Sequence, residues 1–386
     1  MNIANISKHR IRTLLKRESK LGRFVEKNIS KDSANYYALL EKIDITQDWK
    51  FRTGHFFDPW DRPVPICDSL IIPEMTNQNL TFGEICDQVA EKIIQTINQS
   101  NKKLLVGFSG GVDSTVLLTA LLKNQIDTDR LVLLTSATLI IENPSFYKKF
   151  VENKIRCEEI TQFKGNHENY YHVWGEFGDA LFLQNSPMKF HEYYNLPWTT
   201  QLKGRELNIV GWILKNDIKL IPWLYDKILM SKEFCPFTIE TTGAFWWWLS
   251  FNAMWNDIYF RRSSAMDLFG HIENKDPDMF IKFKNNELDF YADPKFQIWS
   301  MHNIANGEIL KDGHLKYRRI AKEYIYDFDK NQDYFDNKGK VDSGSKIARK
   351  SNDPFFIDSD LKTHYFHEVS LYPKVLYKLL ENRLTN

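Results

Sequence analysis

Hydrophobic and polar positions between residues 80 and 135 form blocks whose period changes in a regular order. Thr81-Phe82-Gly83-Glu84 has the form of a capping box, and it predicts a helix that runs to about Gln99. Lys103 to Phe108 is a short apolar run bounded by turn residues, which is typical of a buried parallel strand. Ser114 to Lys123 predicts a second helix, and Leu131 to Thr135 a second strand. This order predicts an α/β fold, an open parallel sheet with flanking helices, with ligands at the carboxyl ends of its strands.

The pattern becomes mostly helical beyond about residue 200. The most hydrophobic stretch, residues 245 to 260, is shorter than the roughly 20 residues of a membrane span and includes Asn252, Asn256 and Asp257. We interpret it as a buried helix of the carboxy-terminal half and not as a surface for stacking a nucleobase. The amino terminus has early charges and no apolar run typical of a secretory signal, so we expect a cytoplasmic protein without a membrane segment.

Charge and composition narrow the function classes. The chain has 386 residues, 43% of them hydrophobic, and 51 Lys and Arg against 50 Asp and Glu give a net charge of +1. This composition excludes a mainly disordered protein, and the balanced charge argues against sequence-independent coating of nucleic acid. Residues 8 to 27 are a local exception, with eight basic and two acidic side chains. A solvated helix face is the favoured interpretation there, and a basic arm for nucleic acid or an acidic partner remains open.

The four cysteines exclude two kinds of site. Cys67, Cys86, Cys157 and Cys235 are far apart and form no CxxC pair, so neither a zinc knuckle nor a thioredoxin-like motif is present. We expect reduced, buried thiols.

The strongest chemical signal is Ser109-Gly110-Gly111-Val112-Asp113-Ser114, which lies directly after the first predicted strand and before a helix. The glycines permit a tight turn, the helix start offers free N–H groups, and the two serines add hydroxyl donors, so the segment suits a phosphate group. It is neither a GxxxxGK[ST] loop nor a GxGxxG fingerprint. A carboxylate at Asp113 would repel phosphate unless a divalent cation lay between them, and Mg²⁺ is the oxygen-preferring ion that suits.

The SGGVDS segment resembles the PP-loop of the ATP pyrophosphatase superfamily, which cleaves ATP between its α and β phosphates. The resemblance implies that Ser109, Gly110, Gly111, Val112, Asp113 and Ser114 bind the nucleotide's pyrophosphate, and that ATP and Mg²⁺ are cofactors.

A second segment lies about 60 residues further on. Trp174 to Phe182, WGEFGDALF, follows a possible strand at Tyr170 to Val173 and is similar to the SGEGSDELF segment of asparagine synthetases. The resemblance implies that Gly175 contacts the nucleotide and that Asp179 shares Mg²⁺ with Asp113. It also places Glu176 where the family keeps a carboxylate that orients or deprotonates an incoming amine.

A third, looser similarity lies at His314 to Ala321. Asparagine-synthetase-like enzymes have a lysine ahead of an arginine-containing helix, and Lys316 is the candidate for this lysine, which stabilises transient anions. Because the spacing differs from the family by about one residue, Lys311 and Lys322 remain alternatives, as does a merely solvated helix.

The resemblance implies a Mg²⁺-dependent, AMP-forming amide ligase, an asparagine-synthetase-like carbon–nitrogen ligase. We expect residues 76–330 to form the ATP pyrophosphatase domain, between an amino-terminal segment of unknown role (1–75) and a carboxy-terminal extension (331–386). Position 2 is Asn2 and not the cysteine nucleophile of the family's glutaminase domain, so we do not expect this chain to hydrolyse glutamine. The expected partners are a small-molecule or peptide carboxylate and ammonia or an amine, and a separate glutaminase subunit is one source of that ammonia. A PP-loop enzyme that modifies a nucleobase or tRNA and a non-catalytic nucleotide-binding module are the alternatives.

Overall fold

The computed structural model describes a defined part of the chain. The described residues are 72–135, 142–159, 163, 167–182, 196–206, 209, 232, 235–255, 286–307 and 318–338. The basic segment 8–27, Cys67, Lys311 and Lys316 lie outside them, so the predictions made for these residues stay predictions.

A single parallel sheet forms the centre of the described structure. Its strands are β1 (Lys103–Phe108), β2 (Leu131–Thr135), β3 (Arg156–Glu159), β4 (Tyr170–Trp174) and β5 (Glu287–Leu288). They are ordered β3-β2-β1-β4-β5, and every neighbouring pair is parallel. The predicted α/β fold is therefore confirmed. Chain order reverses between β1 and β4, and the crevice beyond the carboxyl ends of such strands is where open α/β sheets bind ligands.

Eight α-helices flank this sheet in the described residues. They are α1 (Phe82–Asn98), α2 (Val112–Lys123), α3 (Pro144–Phe146), α4 (Gly178–Leu181), α5 (Thr242–Leu249), α6 (Pro294–Ala305), α7 (Arg319–Asp329) and α8 (Gln332–Asn337). A π-helical segment continues α3 and another continues α5.

The predicted capping box at the start of α1 is confirmed. The Thr81 backbone N–H donates to Glu84 Oε2 at 2.7 Å, and the Glu84 N–H donates to Thr81 Oγ1 at 3.3 Å. The helix then presents apolar residues to the core at helical spacing, including Ile85, Val89 and Ile93. This reciprocal bonding fixes where α1 begins, so the sequence was sufficient to locate it.

Side chains of β1 alternate between two apolar clusters, one on each face of the sheet. Leu104 and Val106 join the main core with α1 and α2, whereas Leu105 joins a smaller cluster with Val132 and Leu134. A strand that is buried on both faces reads as a continuous apolar run, which explains why KLLVGF was recognisable as a central strand.

The predicted burial of the aromatic stretch 245 to 260 is confirmed for its described side chains, which are those of residues 245–252 and Trp255. Every residue of α5 is buried, and the ring of Trp247 stacks on that of Phe251 with centroids 4.6 Å apart. The helix begins at Thr242, whose preceding residue Thr241 caps it, and it changes to π-helical geometry at Ser250. Among the described residues, no helix combines the length and apolarity that crossing a membrane requires.

The expectation of uniformly buried thiols was wrong for the described cysteines. All three are free, but only Cys86 is buried; Cys235 is half-buried and Cys157 is exposed. Cys157 lies in β3, which ends the sheet, so its side chain is not covered on both faces as the central strands are.

The first residues assigned to the carboxy-terminal extension pack against the preceding domain. The ring of Phe335 in α8 lies 5.4 Å from that of Tyr326 in α7, and Tyr334 is buried. Helix α8 therefore shares the apolar core of the domain.

Candidate functional site

The loop after β1 and the segment after β4 meet at one edge of the sheet. Strands β1 and β4 are hydrogen-bonded neighbours, with Gly107 opposite Trp174, so the residues that follow them leave the sheet side by side. Ser109 and Gly175 begin these two segments. Two motifs that are far apart in sequence are thus adjacent in space, at the crevice where the strand order reverses.

The loop after β1 turns at Gly110, whose φ of +76° is accessible to glycine and unfavourable for other residues. The Gly111 N–H donates to Ser109 Oγ at 3.3 Å, and the Ser109 and Ser114 hydroxyl oxygens lie 3.1 Å apart. The Ser114 hydroxyl also bonds with the Gly111 carbonyl at 3.1 Å. These contacts hold the two predicted serines together inside one tight turn.

Helix α2 begins without a side-chain cap. Its N-cap is Gly111, and no side-chain oxygen accepts a hydrogen bond from the first turn. Val112 is buried in the core, so only its backbone could contact a ligand. The N-terminus of a 12-residue helix carries a partial positive charge, and together with the serine hydroxyls it suits an anion.

Close packing of two glycines joins the second segment to this loop. A Cβ at Gly175 would lie 2.7 Å from both Cα and N of Ser114, and a Cβ at Gly178 would lie 2.7 Å from the Asp113 carboxyl carbon. Real Cβ contacts are essentially never this short, so only glycine permits the observed approach at both positions. The two glycines are therefore needed to bring Asp179 towards Asp113.

Phe177 adopts a left-handed conformation between these glycines, with φ +68°. Its ring is buried against Trp255, with centroids 4.6 Å apart. In a letter-by-letter comparison with SGEGSDELF, Phe177 stands at the second glycine, which is the residue type that adopts this conformation most easily. Buried aromatic packing thus holds a strained residue at the start of α4, next to Asp179.

The two acidic residues predicted to share a metal ion both contact one cation, Arg318. One terminal nitrogen of its guanidinium pairs with Asp113 Oδ1, and the other pairs with Asp179 Oδ1. The Arg318 side chain is 6% exposed, against 18% for Asp113 and 42% for Asp179, so the cluster opens to solvent on the Asp179 side. Burial lowers the pKa of the Arg318 guanidinium to about 9, which leaves it charged at neutral pH.

Sequence reasoning did not name Arg318, and the prediction for Lys316, which lies outside the described residues, stays a prediction. The signal was present, because Arg318 lies inside the His314 to Ala321 segment that resembles the family. The alternative lysine, Lys322, is buried in α7 and its Nζ donates to the Lys338 carbonyl at 3.3 Å. Nothing in the spacing of the residues indicated that Arg318 would reach the carboxylates.

Further contacts fix the base of the site. The Tyr291 hydroxyl donates to the Asp113 carbonyl at 3.4 Å, and burial raises the pKa of that hydroxyl well above its ordinary value, so it stays protonated. The carbonyl of Leu181, at the end of α4, accepts from the Ser300 hydroxyl at 2.6 Å and from Trp247 Nε1 at 3.2 Å. These bonds anchor the segment that bears Asp179.

The donor atoms suit a magnesium ion bound with a phosphorylated ligand. The described residues contain no group of three or more His, Cys, Asp and Glu side chains that could hold a metal alone. Mg²⁺ is usually held by one or two carboxylates together with substrate phosphates, and two carboxylates converge here beside an anion-binding turn. Glu176 is exposed at the rim of the same segment.

Comparison of the chain with family models, with curated proteins and with solved structures finds no match.

Proposed function

We propose that this protein is a Mg²⁺-dependent amide ligase that converts ATP to AMP and pyrophosphate. One observation carries the proposal: the SGGVDS turn and the Gly175 to Phe182 segment pack directly together, and their aspartates converge on a single cation. A turn can fold without two converging carboxylates beside an uncapped helix N-terminus. Cleavage of a triphosphate requires such carboxylates, because they hold the metal ion next to the phosphate oxygens.

Asp113 and Asp179 would hold Mg²⁺, which when bound neutralises charge on the triphosphate and on the leaving pyrophosphate. The pyrophosphate would bind at the start of α2, where backbone N–H groups have no side-chain cap. Ser109 and Ser114 would turn their hydroxyls from each other towards the phosphate oxygens, since a hydroxyl rotates at little cost. Most of the rate enhancement would come from this positioning and fixed charge.

The proposed reaction has two steps. A carboxylate oxygen of the substrate attacks the α phosphorus, the bond from that phosphorus to the bridging oxygen breaks, and pyrophosphate leaves. The nitrogen of ammonia or an amine then attacks the acyl carbon, and AMP leaves with the carboxylate oxygen. Glu176 would accept the proton that the attacking nitrogen loses, since its exposed position at the rim allows it to reach an incoming amine. By resemblance, Lys316 would stabilise the transient anions.

The test is to incubate the protein with Mg·ATP, a panel of carboxylates and ammonia, and to measure AMP and pyrophosphate by mass spectrometry. Asp113→Asn and Asp179→Asn keep the side-chain size but remove the charge that would hold the ion, so both should reduce carboxylate-dependent AMP release at least 100-fold, on the order expected for lost transition-state charge stabilisation. Asp129→Asn is a matched control, because Asp129 is an exposed aspartate next to β2. Full activity in both site variants would contradict the metal assignment. AMP release that requires tRNA or single-stranded DNA and no carboxylate would replace the proposal with nucleobase modification.

A further inference from the structure

Arg318 occupies the point at which the two carboxylates of the site converge. We propose that Arg318 is an internal counter-ion that holds Asp113 and Asp179 before Mg²⁺ binds and that competes with the metal. Loading of the site would then need the metal and the nucleotide together. The inference rests on the proposed function only for the identity of the ion and of the nucleotide.

The geometry of the ion pairs supports competition. Two different nitrogens of one guanidinium contact the Oδ1 atoms of the two aspartates, so a single planar cation satisfies both carboxylates at once. The same two side chains are the ones that a metal ion at this point would use. Because Arg318 and Asp113 are both largely buried, water and dissolved salt screen this pair less than a surface pair, whereas the pair with Asp179 is more open to solvent.

Charge balance explains why metal alone would compete poorly. One guanidinium between two carboxylates leaves a net charge of −1, and its removal would leave two like charges facing each other in a partly buried site. A divalent ion that enters alone must displace a buried cation that already forms two ion pairs, and the pair with Asp179 is also a charge-assisted hydrogen bond. A triphosphate adds several negative charges, and the site then accommodates both the metal ion and the arginine.

Backbone conformation at Arg318 makes its position reversible. Arg318 has φ +54°, in the left-handed region, and it is the N-cap of α7 without a side-chain capping bond. A left-handed conformation is unfavourable for a residue other than glycine, and the two ion pairs offset this cost. Once the metal ion that arrives with the nucleotide takes over the carboxylates, release of this strain favours movement of the Arg318 side chain away from them.

The competition can be measured without any catalysis. Mn²⁺, a paramagnetic substitute for Mg²⁺, is titrated into nucleotide-free protein, and free Mn²⁺ is followed by electron paramagnetic resonance. Arg318→Gln should bind Mn²⁺ at least about tenfold more tightly than the unmodified protein, within the usual range of coupling between sites. Arg318→Lys keeps the positive charge but not the two-nitrogen fork, so its Mn²⁺ affinity should lie between those of the unmodified protein and Arg318→Gln. Arg318→Gln combined with Asp179→Asn should lose the gain.

Arg319→Gln is the matched control for the loss of a positive charge. Arg319 is the next residue, its side chain is 41% exposed, and it pairs with Glu323 on its own helix. Its Mn²⁺ affinity should therefore be unchanged. Equal Mn²⁺ affinities in Arg318→Gln and the unmodified protein would overturn the inference.

A second measurement uses the unmodified protein, so it does not depend on whether Arg318→Gln folds. Mg²⁺ alone should leave the melting temperature unchanged, whereas Mg²⁺ with α,β-methylene-ATP should raise it. An equal rise with Mg²⁺ alone would overturn the inference. If Arg318→Gln binds Mn²⁺ more tightly but the protein never forms AMP, the proposed ligase is refuted and this inference stands. If the protein is an active ligase whose metal affinity does not depend on Arg318, the proposed function stands and this inference is refuted.

Discussion

Gly175 offers the sharpest test of the contact between the two motifs, because a single methyl group there meets only backbone atoms. In Gly175→Ala the new Cβ would lie 2.7 Å from Cα and N of Ser114 and 2.9 Å from the Asp113 carbonyl carbon. Ordinary van der Waals contact starts at 3.4 Å, so the shortfall is 0.7 Å. No side chain can rotate to relieve it, and the two segments must therefore move apart by about this distance.

Two consequences of different size follow from this shift. Overpacking of a well-packed contact costs about 1–3 kcal/mol of unfolding free energy. Displacement of binding groups by close to 1 Å can reduce a reaction rate about 100-fold. The reason is that the aspartates and the start of α2 can then no longer contact the same ligand in the correct geometry. We expect Gly175→Ala to stay folded while its affinity for Mg²⁺ with α,β-methylene-ATP falls by at least about tenfold, which corresponds to 1.4 kcal/mol.

The assay is isothermal titration of that nucleotide together with urea unfolding, and Gly307→Ala is the matched control. Gly307 has φ +71° and nothing within 4 Å of a built Cβ, so alanine there should cost a similar 1–2 kcal/mol through backbone strain alone. It follows the end of α6 and should leave nucleotide affinity unchanged. If Gly175→Ala binds the nucleotide as tightly as Gly307→Ala does, the contact between the two motifs is not part of a nucleotide site.

Three further predictions concern the supports of the site. Ser300→Ala removes the hydroxyl between Leu181 and Trp247 and should cost about 1–3 kcal/mol in urea unfolding, and a change below about 0.5 kcal/mol would contradict the anchoring role. Thr81→Ala should lose about 1 kcal/mol through the capping box, whereas Thr96→Ala, whose hydroxyl bonds only to its own helix, should be nearly neutral. Burial raises the pKa of the Cys235 thiol to about 12, so its maleimide labelling, followed by mass spectrometry, should rise about tenfold per pH unit between pH 8 and 10, and a flat profile would exclude this shift.

The sheet and first helices were predictable because local signals determine them. The capping box at Thr81 and the uninterrupted apolar run of β1 each depend on neighbours within a few residues, and both were found at the predicted places. Helix α2 begins at Val112, two residues before the predicted start at Ser114, and its N-cap is Gly111. Strand β5 was not predicted, because two half-buried residues carry no periodic signal.

Only part of the candidate site could be predicted from the sequence. Asp113 and Asp179 stand at positions that a motif specifies, and the structure brings them together. The cation between them, Arg318, comes from a third segment about 140 residues after Asp179, and its contact with both carboxylates depends on tertiary packing. The left-handed backbone conformation of Phe177 could not be predicted from the sequence either, because burial of its ring against Trp255 overrides the usual preference for glycine in this conformation.

The most direct test of the central claim follows one oxygen atom. A substrate carboxylate labelled with ¹⁸O, identified from the panel, is incubated with the protein, Mg·ATP and ammonia, and the nucleotide and phosphate products are weighed by mass spectrometry. Attack of the carboxylate on the α phosphorus predicts AMP that carries one ¹⁸O, together with unlabelled pyrophosphate and an amide. ADP with labelled inorganic phosphate, or AMP without label, would contradict the account.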